Sequence, residues 1–494
     1  AFENAYRRRL AGTLLEADRP PAGPSPLLQA VFCIDVRSEV FRRRRGRRSP
    51  RVQTLGFAGF FGFPMAYQRF GETGTSARCP ALIAPTHTIP ETVTGDVDVE
   101  SARELRAQER EAHARFLAAR LSSVSAFSVA ETIGHWFGLR ILTDSVQATH
   151  PRDDGAFFAS KLAGALAPDV ETTGEGLGWT LDEKIDLAEG ALRGMGLTEG
   201  FAPVVLLCGH GSATANNPYG AGLDCGACGG HAGDANARVA AAVLETPEVR
   251  EGLRRRGIEI PDATRFIAGL HVTTTDDVVL FDAECLVAEA RARVEGWLRD
   301  AGKATREARL PGLTRGHTEG GDATDEVRRR ATDWSEVRPE WGLARNAAFV
   351  AARRERTRGV NLEGRVFLHD YDPKKDPGKK ILELIMTAPM VVASWINLQY
   401  FASTVDNEAF GSGNKLIHNV VGRRGVMQGN RGDLETGLPF QSVHDGEAPY
   451  HEPIRLHVVI EADPADLDAV LTKHEDVRQL VDHEWVLLHA WPPG

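Results

Sequence analysis

Short apolar runs, bounded by proline, glycine or charge, set the pattern of this chain, and they read as buried strands rather than as faces of long helices. Leu27 to Ile34 follows Pro24 and Pro26 and gives way at Asp35 to a polar helical stretch. Val204 to Cys208 follows Pro203 and runs into a Gly-rich loop, Gly209 to Gly233. Asp234 is the expected N-cap of a helix over Ala235 to Leu244, with Pro247 soon after it. Phe266 to Val272 reads as a further strand and Glu284 to Leu298 as a helix with one apolar face. Strand, loop, helix and strand in this order predict an α/β core with parallel pairing, in which sites collect at the carboxyl ends of strands. Both cysteine-bearing loops fall at such ends.

Beyond this core, Arg306 to Glu336 is rich in charge and glycine and reads as a linker or surface excursion. A strand is expected at Arg365 to Tyr371, an apolar segment at Leu384 to Ala402, and a Gly-rich loop from Gly411 to Gly432. The tail, with strand Arg455 to Glu461, helix Ala465 to Val481 and strand Trp485 to Ala490, predicts a small βαβ unit. The expected division is a helical piece at 1–26, an α/β core that carries both cysteine-bearing loops at 27–301, an accessory region at 302–380, and the apolar helix with the βαβ unit at 381–494. No internal repeat is visible. Ala1 opens inside a helical pattern, Phe2 to Ala17, so further sequence is expected upstream. No run of about 20 uninterrupted apolar residues occurs to make a simple membrane span. Leu384 to Ala402 comes nearest, but Thr387, Pro389, Ser394, Asn397 and Gln399 interrupt it. It reads first as a buried helix and second as a partner-facing surface, with Trp395, Tyr400 and Phe401 as the aromatic contacts.

Composition narrows the functional classes. With 42% hydrophobic and 26% charged residues, the chain has the make-up of an ordinary globular protein. Its formal net charge of -10 argues against a general nucleic-acid binder, which needs a surplus of Lys and Arg. The local run Arg42, Arg43, Arg44, Arg45, Arg47, Arg48 and Arg51 reads as a solvated helix end, with phosphate or anionic lipid contact as the alternative. Six cysteines are few for 494 residues and point to a reducing compartment, where clustered Cys, His and Asp mean metal or catalytic chemistry before disulfides.

That chemistry has two halves. In Cys33-Ile34-Asp35-Val36-Arg37 a thiolate, a carboxylate and a guanidinium alternate where a strand runs out, so Cys33 and Asp35 share one face and Arg37 is close enough to pair with Asp35. The second half is His210, in Cys208-Gly209-His210-Gly211, with Cys225 further along the Gly-rich loop. Two thiolates, one imidazole and a carboxylate or water make a tetrahedral zinc set, and soft sulfur disfavours magnesium or calcium. Cys225 and Cys228 also form a CxxC, readable as half a zinc knuckle or as a redox pair. No second CxxC completes a four-cysteine site, and a redox pair would open a helix directly after a strand. Cys208 and Cys285 read as small buried apolar side chains, and Cys79 has no evident partner. The glycines lack the Lys-Ser or Lys-Thr of a P-loop.

The strings FCIDVRSE, TLGFAGFFG, LLCGHGSATANNPYGAGLDCGACGG and RPEWGLARN resemble those of the DabA family, the soluble subunit of an energy-coupled inorganic carbon uptake system. The resemblance covers nearly the whole chain. It implies a β-carbonic-anhydrase-like core with a largely parallel sheet and helical additions, and zinc on Cys33, Asp35, His210 and Cys225, with Arg37 as the partner of Asp35. It also implies a DabB-like, ion-translocating membrane subunit as partner, CO2 and bicarbonate as substrates, and a peripheral place on the cytoplasmic face of the cell membrane. Family members extend well before the CxDxR motif, which here lies almost at the start.

On this reading Asp35 and Arg37 carry the catalytic roles. Asp35 on zinc closes the site; Asp35 caught by the planar fork of Arg37 opens it to water and CO2. Two other readings are a non-catalytic, zinc-stabilised scaffold of a membrane complex and a freestanding soluble carbonic anhydrase. A structural site has little need of Arg37, and the length of chain beyond the zinc core speaks against the second.

Overall fold

The computed structural model of the chain describes residues 2–16, 24–46, 51–95, 97–145, 162, 164–215, 220–314, 322–333, 335–421, 425–428 and 434–493. Strand β1 (Leu28–Cys33) lies inside the first sheet, parallel to β2 (Val52–Phe57) on one side and to β3 (Val204–Gly211) on the other. Next come β4 (Arg265–Val272), parallel to β3, and β5 (Asp277–Phe281), antiparallel at the edge, giving the order 2-1-3-4-5. Every residue of β1 and β3 is buried, which is why they read in sequence as continuous apolar runs without alternation. The strand order reverses between β1 and β3. At such a switch point the connections leave in opposite directions and open a crevice at the carboxyl ends of the strands, and Cys33 and His210 stand there.

A second sheet is wholly parallel: β6 (Ala348–Ala352), β7 (Val366–Asp370), β8 (Leu456–Ile460) and β9 (Val486–Ala490), in the order 7-6-8-9. The expected C-terminal βαβ unit is half of this sheet, since β8 pairs with β6 as well as with β9. Its single expected helix is two, Pro464–Lys473 and Glu475–Asp482, parted at His474. The N-terminal helix Phe2–Leu15 buries Tyr6, Leu10 and Leu14 in the core of this sheet. A smaller four-stranded sheet and a hairpin complete the described strands, so the chain is a mixed α/β protein rich in parallel pairs.

The two main sheets are joined at β2, β7 and the helix after β1, Val36–Gly46. The Leu368 N–H donates to the Ile34 carbonyl at 3.1 Å. Arg42 donates to the Leu368 carbonyl at 2.9 Å and pairs with Asp370 at 2.8 Å, and Asp370 also accepts from the Gly56 N–H at 2.5 Å. A Cβ at Gly56 would stand 2.1 Å from the Leu368 oxygen, so only glycine lets the sheets close here. Arg42 and Arg43 are therefore not a solvated helix end: they are 1% and 8% exposed and paired with Asp370 and Glu39. Arg51 is exposed; the remaining side chains of that run lie outside the described residues.

Three further expectations are corrected. Asp234 lies inside the helix Asp234–Glu245, whose N-cap is Gly233; its carboxylate serves the helix dipole from the first turn. The helix expected to end at Leu298 spans Ala288–Leu313, and Ala323–Thr332 is helical too, so much of the expected linker is ordered. Arg306 explains the extension: it is buried, donating to the Thr275 carbonyl at 2.8 Å and pairing with Asp277 at 3.2 Å. The apolar segment forms two helices, Lys380–Thr387 and Pro389–Val405, with Pro389 opening the second where its missing N–H costs nothing. Together, Lys380–Val405 is long and apolar enough to cross a membrane, yet 56% of its most apolar stretch is buried in the protein. Tyr400, expected on a partner surface, is 1% exposed, its hydroxyl accepting from the Leu343 N–H at 2.9 Å; Trp395 is exposed.

His451 backs Tyr400 at a ring separation of 5.3 Å and accepts from the Arg345 N–H at 2.9 Å. Burial first, and Arg365 second, push its pKa down from 6.5 to about 3. Native His451 is therefore neutral where the unfolded residue takes a proton, so its contribution to stability is complete above about pH 6.5 and is lost as pH falls toward 3. His451→Gln is expected to flatten the pH slope of unfolding free energy between about pH 6 and 4 by roughly 1.4 kcal/mol per pH unit. Urea titrations across that range measure it, and equal slopes would refute it.

Candidate metal centre

Cys33 is the last residue of β1, His210 lies near the end of β3, and Cys225 comes from the loop that follows. That loop is fixed by its own backbone: the Cys225 N–H donates to His231 O at 3.1 Å and the Gly230 N–H to Cys225 O at 3.0 Å. The Cys33 and Cys225 sulfurs are 3.8 Å apart, and one donor atom from each of Cys33, His210 and Cys225 lies within 4.8 Å of the other two. All three residues are buried.

This donor set fits a soft divalent metal. Two sulfurs each about 2.3 Å from a tetrahedral zinc stand about 3.8 Å from one another, which is the separation found. Gly59 leaves the space: a Cβ there would lie 2.6 Å from the Cys225 sulfur and 3.0 Å from that of Cys33. The hydrogen bond to Cys225, and then burial, push the Cys33 thiol up. A metal entering the site must displace those protons.

Asp35 stands at the edge of the three-donor group. Its Oδ2 is 3.6 Å from His210 Nε2, but both of its oxygens are held by Arg37, through Nε at 2.9 Å and Nη2 at 3.0 Å, and the Arg37 N–H adds a bond of 2.8 Å. Burial would raise the pKa of Asp35; Arg37, followed by His210, outweighs it and holds the carboxyl well below the usual range. The rest of the Arg37 fork reaches the Leu223 carbonyl at 2.6 Å, Thr273 Oγ1 at 3.0 Å and Glu340 Oε2 at 3.2 Å.

Glu340 is the residue that the sequence reading missed. It is 5% exposed and its Oε1 accepts from Ser212 at 2.5 Å and from Thr273 and Thr274 at 3.2 Å each. Burial would raise its pKa, but Arg37 and then Ser212 bring it below the ordinary value. Arg37 is thus clamped between two carboxylates. Glu340 and Gly59 both sit in strings already singled out, RPEWGLARN and TLGFAGFFG, although nothing local marks either as part of a site. Arg37, Thr273 and Glu340 also line a cavity of about 500 Å³.

The other cysteines divide. Cys228 is buried beside Cys225 but outside the three-donor group. Cys208 is buried in an apolar cluster, as expected. Cys79 is buried too and donates to the Ile83 carbonyl at 3.1 Å. Cys285, expected to be buried, is exposed, because its short turn at Ala283–Cys285 lies on the surface between β5 and the long helix.

Residues 1–486 match the family model described as probable inorganic carbon transporter subunit DabA. A protein of that name from Chloroflexus aggregans is 49% identical over 500 residues, covering 99% of this chain and 59% of its own. One from Roseiflexus sp. (strain RS-1) is 48% identical over 99% of this chain and 59% of its own, and a DabA 2 from Bradyrhizobium sp. (strain BTAi1) is 49% identical over 100% and 60%. The chain thus spans about 59% of the length of these curated relatives. No solved structure matches it.

Cys225→Ser is expected to lose most of the bound metal and Cys228→Ser to keep it, measured as metal per chain on protein never exposed to chelator. The reverse pattern would assign the wrong thiol. Gly59→Ala should weaken metal binding by roughly 10- to 100-fold, as disturbance around a ligand does elsewhere, because the added methyl meets both sulfurs; unchanged affinity would show that the loop yields.

Proposed function

The chain belongs to the DabA family of inorganic carbon transporter subunits, and on that premise we propose that it hydrates CO2 to bicarbonate at a gated zinc site within an energy-coupled carbon uptake system. One observation carries the reading: three soft donors converge on one point while the carboxylate beside them is tied to Arg37. A structural zinc site is closed by four protein ligands, whereas a catalytic one keeps a position open. Zinc on Cys33, His210 and Cys225 would bring the pKa of a bound water toward neutrality.

The protein groups then have separate tasks. Asp35, fixed by two side-chain bonds from Arg37, would accept a hydrogen bond from a water held at a zinc on Cys33, His210 and Cys225 and so orient it. Arg37 keeps that carboxylate ionised and off the metal. Glu340, Ser212 and Thr273 keep Arg37 from following Asp35. If Asp35 leaves Arg37 it becomes the fourth ligand and closes the site, which makes the Asp35–Arg37 pair the gate. A β-carbonic-anhydrase-like core is part of this proposal and is supported by the donor set at the carboxyl ends of parallel strands.

A link to a membrane partner is available in the helix Pro389–Val405. Its Val392 and Ile396 stand 3.5 Å from the position of a Cβ on Gly226, next to Cys225, while Trp395 on the same helix is exposed. We assign the partner the character of a DabB-like, ion-translocating subunit, with this chain peripheral on the cytoplasmic face of the membrane. Movement of that helix would reach the metal loop directly.

Arg37→Ala is expected to retain about one zinc per chain while abolishing carbon uptake in cells that depend on it. Normal uptake by that variant would remove the gate and favour a scaffold. The purified chain alone should hydrate CO2 slowly or not at all in a stopped-flow assay; ordinary carbonic anhydrase rates would make it a freestanding enzyme.

A further inference from the structure

Where the two sheets meet there is a cavity of about 110 Å³, walled by β2, the end of β7 and the residues after β6. Arg354 lines it and is 7% exposed. Its Nε donates to Thr54 Oγ1 at 3.4 Å and its Nη1 to Thr357 Oγ1 at 3.0 Å, and no carboxylate among the described residues forms an ion pair with it. Its neighbours Arg353 and Arg356 share Glu461 instead, at 2.5 and 3.1 Å. A buried guanidinium without a counter-charge is costly, so a partner is called for.

Asp370 and Glu39 attract it only from beyond ion-pair distance, and Glu355, which also lines the cavity, makes no ion pair with it. Arg42 pairs with Asp370 and Arg43 with Glu39, so three buried guanidinia, counting Arg354, face two carboxylates. Asp370, in the cavity wall, gives Oδ2 to both Arg42 and the Gly56 N–H. Asp372, also in the wall, accepts from the Lys374 N–H at 3.0 Å. Lys375 and Arg193 also line it, paired with Glu199 at 3.2 Å and Glu189 at 2.8 Å, which leaves Arg354 as the cation of the lining without an ion pair among the described residues. The cavity has room for an ion of a few heavy atoms beside Arg354.

We propose that this cavity binds one small oxyanion, of the bicarbonate or orthophosphate class, with Arg354 as its principal donor. The planar fork of arginine suits such an ion through paired hydrogen bonds. The site is separate from the metal centre but mechanically close to it: β7 supplies both Asp370 in the cavity wall and Leu368, whose N–H holds Ile34 between Cys33 and Asp35.

Calorimetric titration of the zinc-loaded chain with bicarbonate, and separately with inorganic phosphate, both at constant ionic strength against chloride, tests the proposal. One equivalent that depends on Arg354 should bind, in addition to any ion taken at the zinc, with a saturating rise in Tm on the order of 1–3 °C. Arg354→Met should weaken binding at least tenfold with the zinc content unchanged, which separates this site from the metal centre. Preference for bicarbonate would identify the carbon species as occupant, and preference for phosphate the alternative source. Saturable binding of neither ion, or wild-type affinity in Arg354→Met, would overturn the proposal. Should that variant fail to fold, wild-type crystals soaked in selenate decide: anomalous density against Arg354 is expected, and its absence there refutes the site.

Discussion

The ion pair between Asp35 and Arg37 is the interaction on which the rest of the site depends. Asp35 is buried and the Arg37 side chain is 9% exposed, and a charge taken out of water is tolerated only when its partners are close and its hydrogen bonds are complete. Arg37 meets that demand with donors to Asp35, Glu340, Thr273 and the Leu223 carbonyl. Each partner comes from a different part of the chain, so assembling the fold is what completes the pair. Removing Arg37 strands two carboxylates, while removing Glu340 frees one side of the clamp and leaves Asp35 its partner.

The sheet geometry explains why the pair stands beside the sulfurs. Cys33 and His210 flank the place where the strand order reverses, and the helix after β1 begins with Val36 and Arg37. Ile34, between Cys33 and Asp35, is held by Leu368 of the second sheet, and Arg42 and Asp370 tie the same strand to β2. The segment Cys33 to Asp35 therefore belongs to both sheets. A displacement of either one reaches Asp35 through a single backbone hydrogen bond.

Much of this was legible from the residues. Continuous apolar runs gave β1, β3, β4, β7, β8 and β9 to within a few residues; β1, β3, β7 and β8 are buried on both faces and carry no competing pattern, while β9 is a half-buried edge strand. β2 escaped notice since Gln53, Thr54 and Gly56 interrupt it, and β6 since Ala348, Ala351 and Ala352 have little strand preference. Of the candidate site, Cys33, His210 and Cys225 were readable as a possible donor set, which the fold brings together, and Arg37 as the partner of Asp35, because alternation along an extended chain is local information. Glu340 lies far from Arg37 in sequence and meets it only through tertiary packing. Arg42 and Arg43 were misread for the same reason: charge in a run looks solvated until Asp370 and Glu39 are brought to it.

The central claim, that the metal position has three protein donors and one place kept open by Arg37, is tested most directly by X-ray absorption of the metal-loaded chain at the zinc edge. Two sulfurs near 2.3 Å, one imidazole nitrogen near 2.0–2.1 Å and one further light atom are expected, with that light atom exchanging for added azide or thiocyanate. A shell of three or four sulfurs would contradict the assignment, and a light-atom ligand that no small anion displaces would mean that Asp35 closes the site permanently.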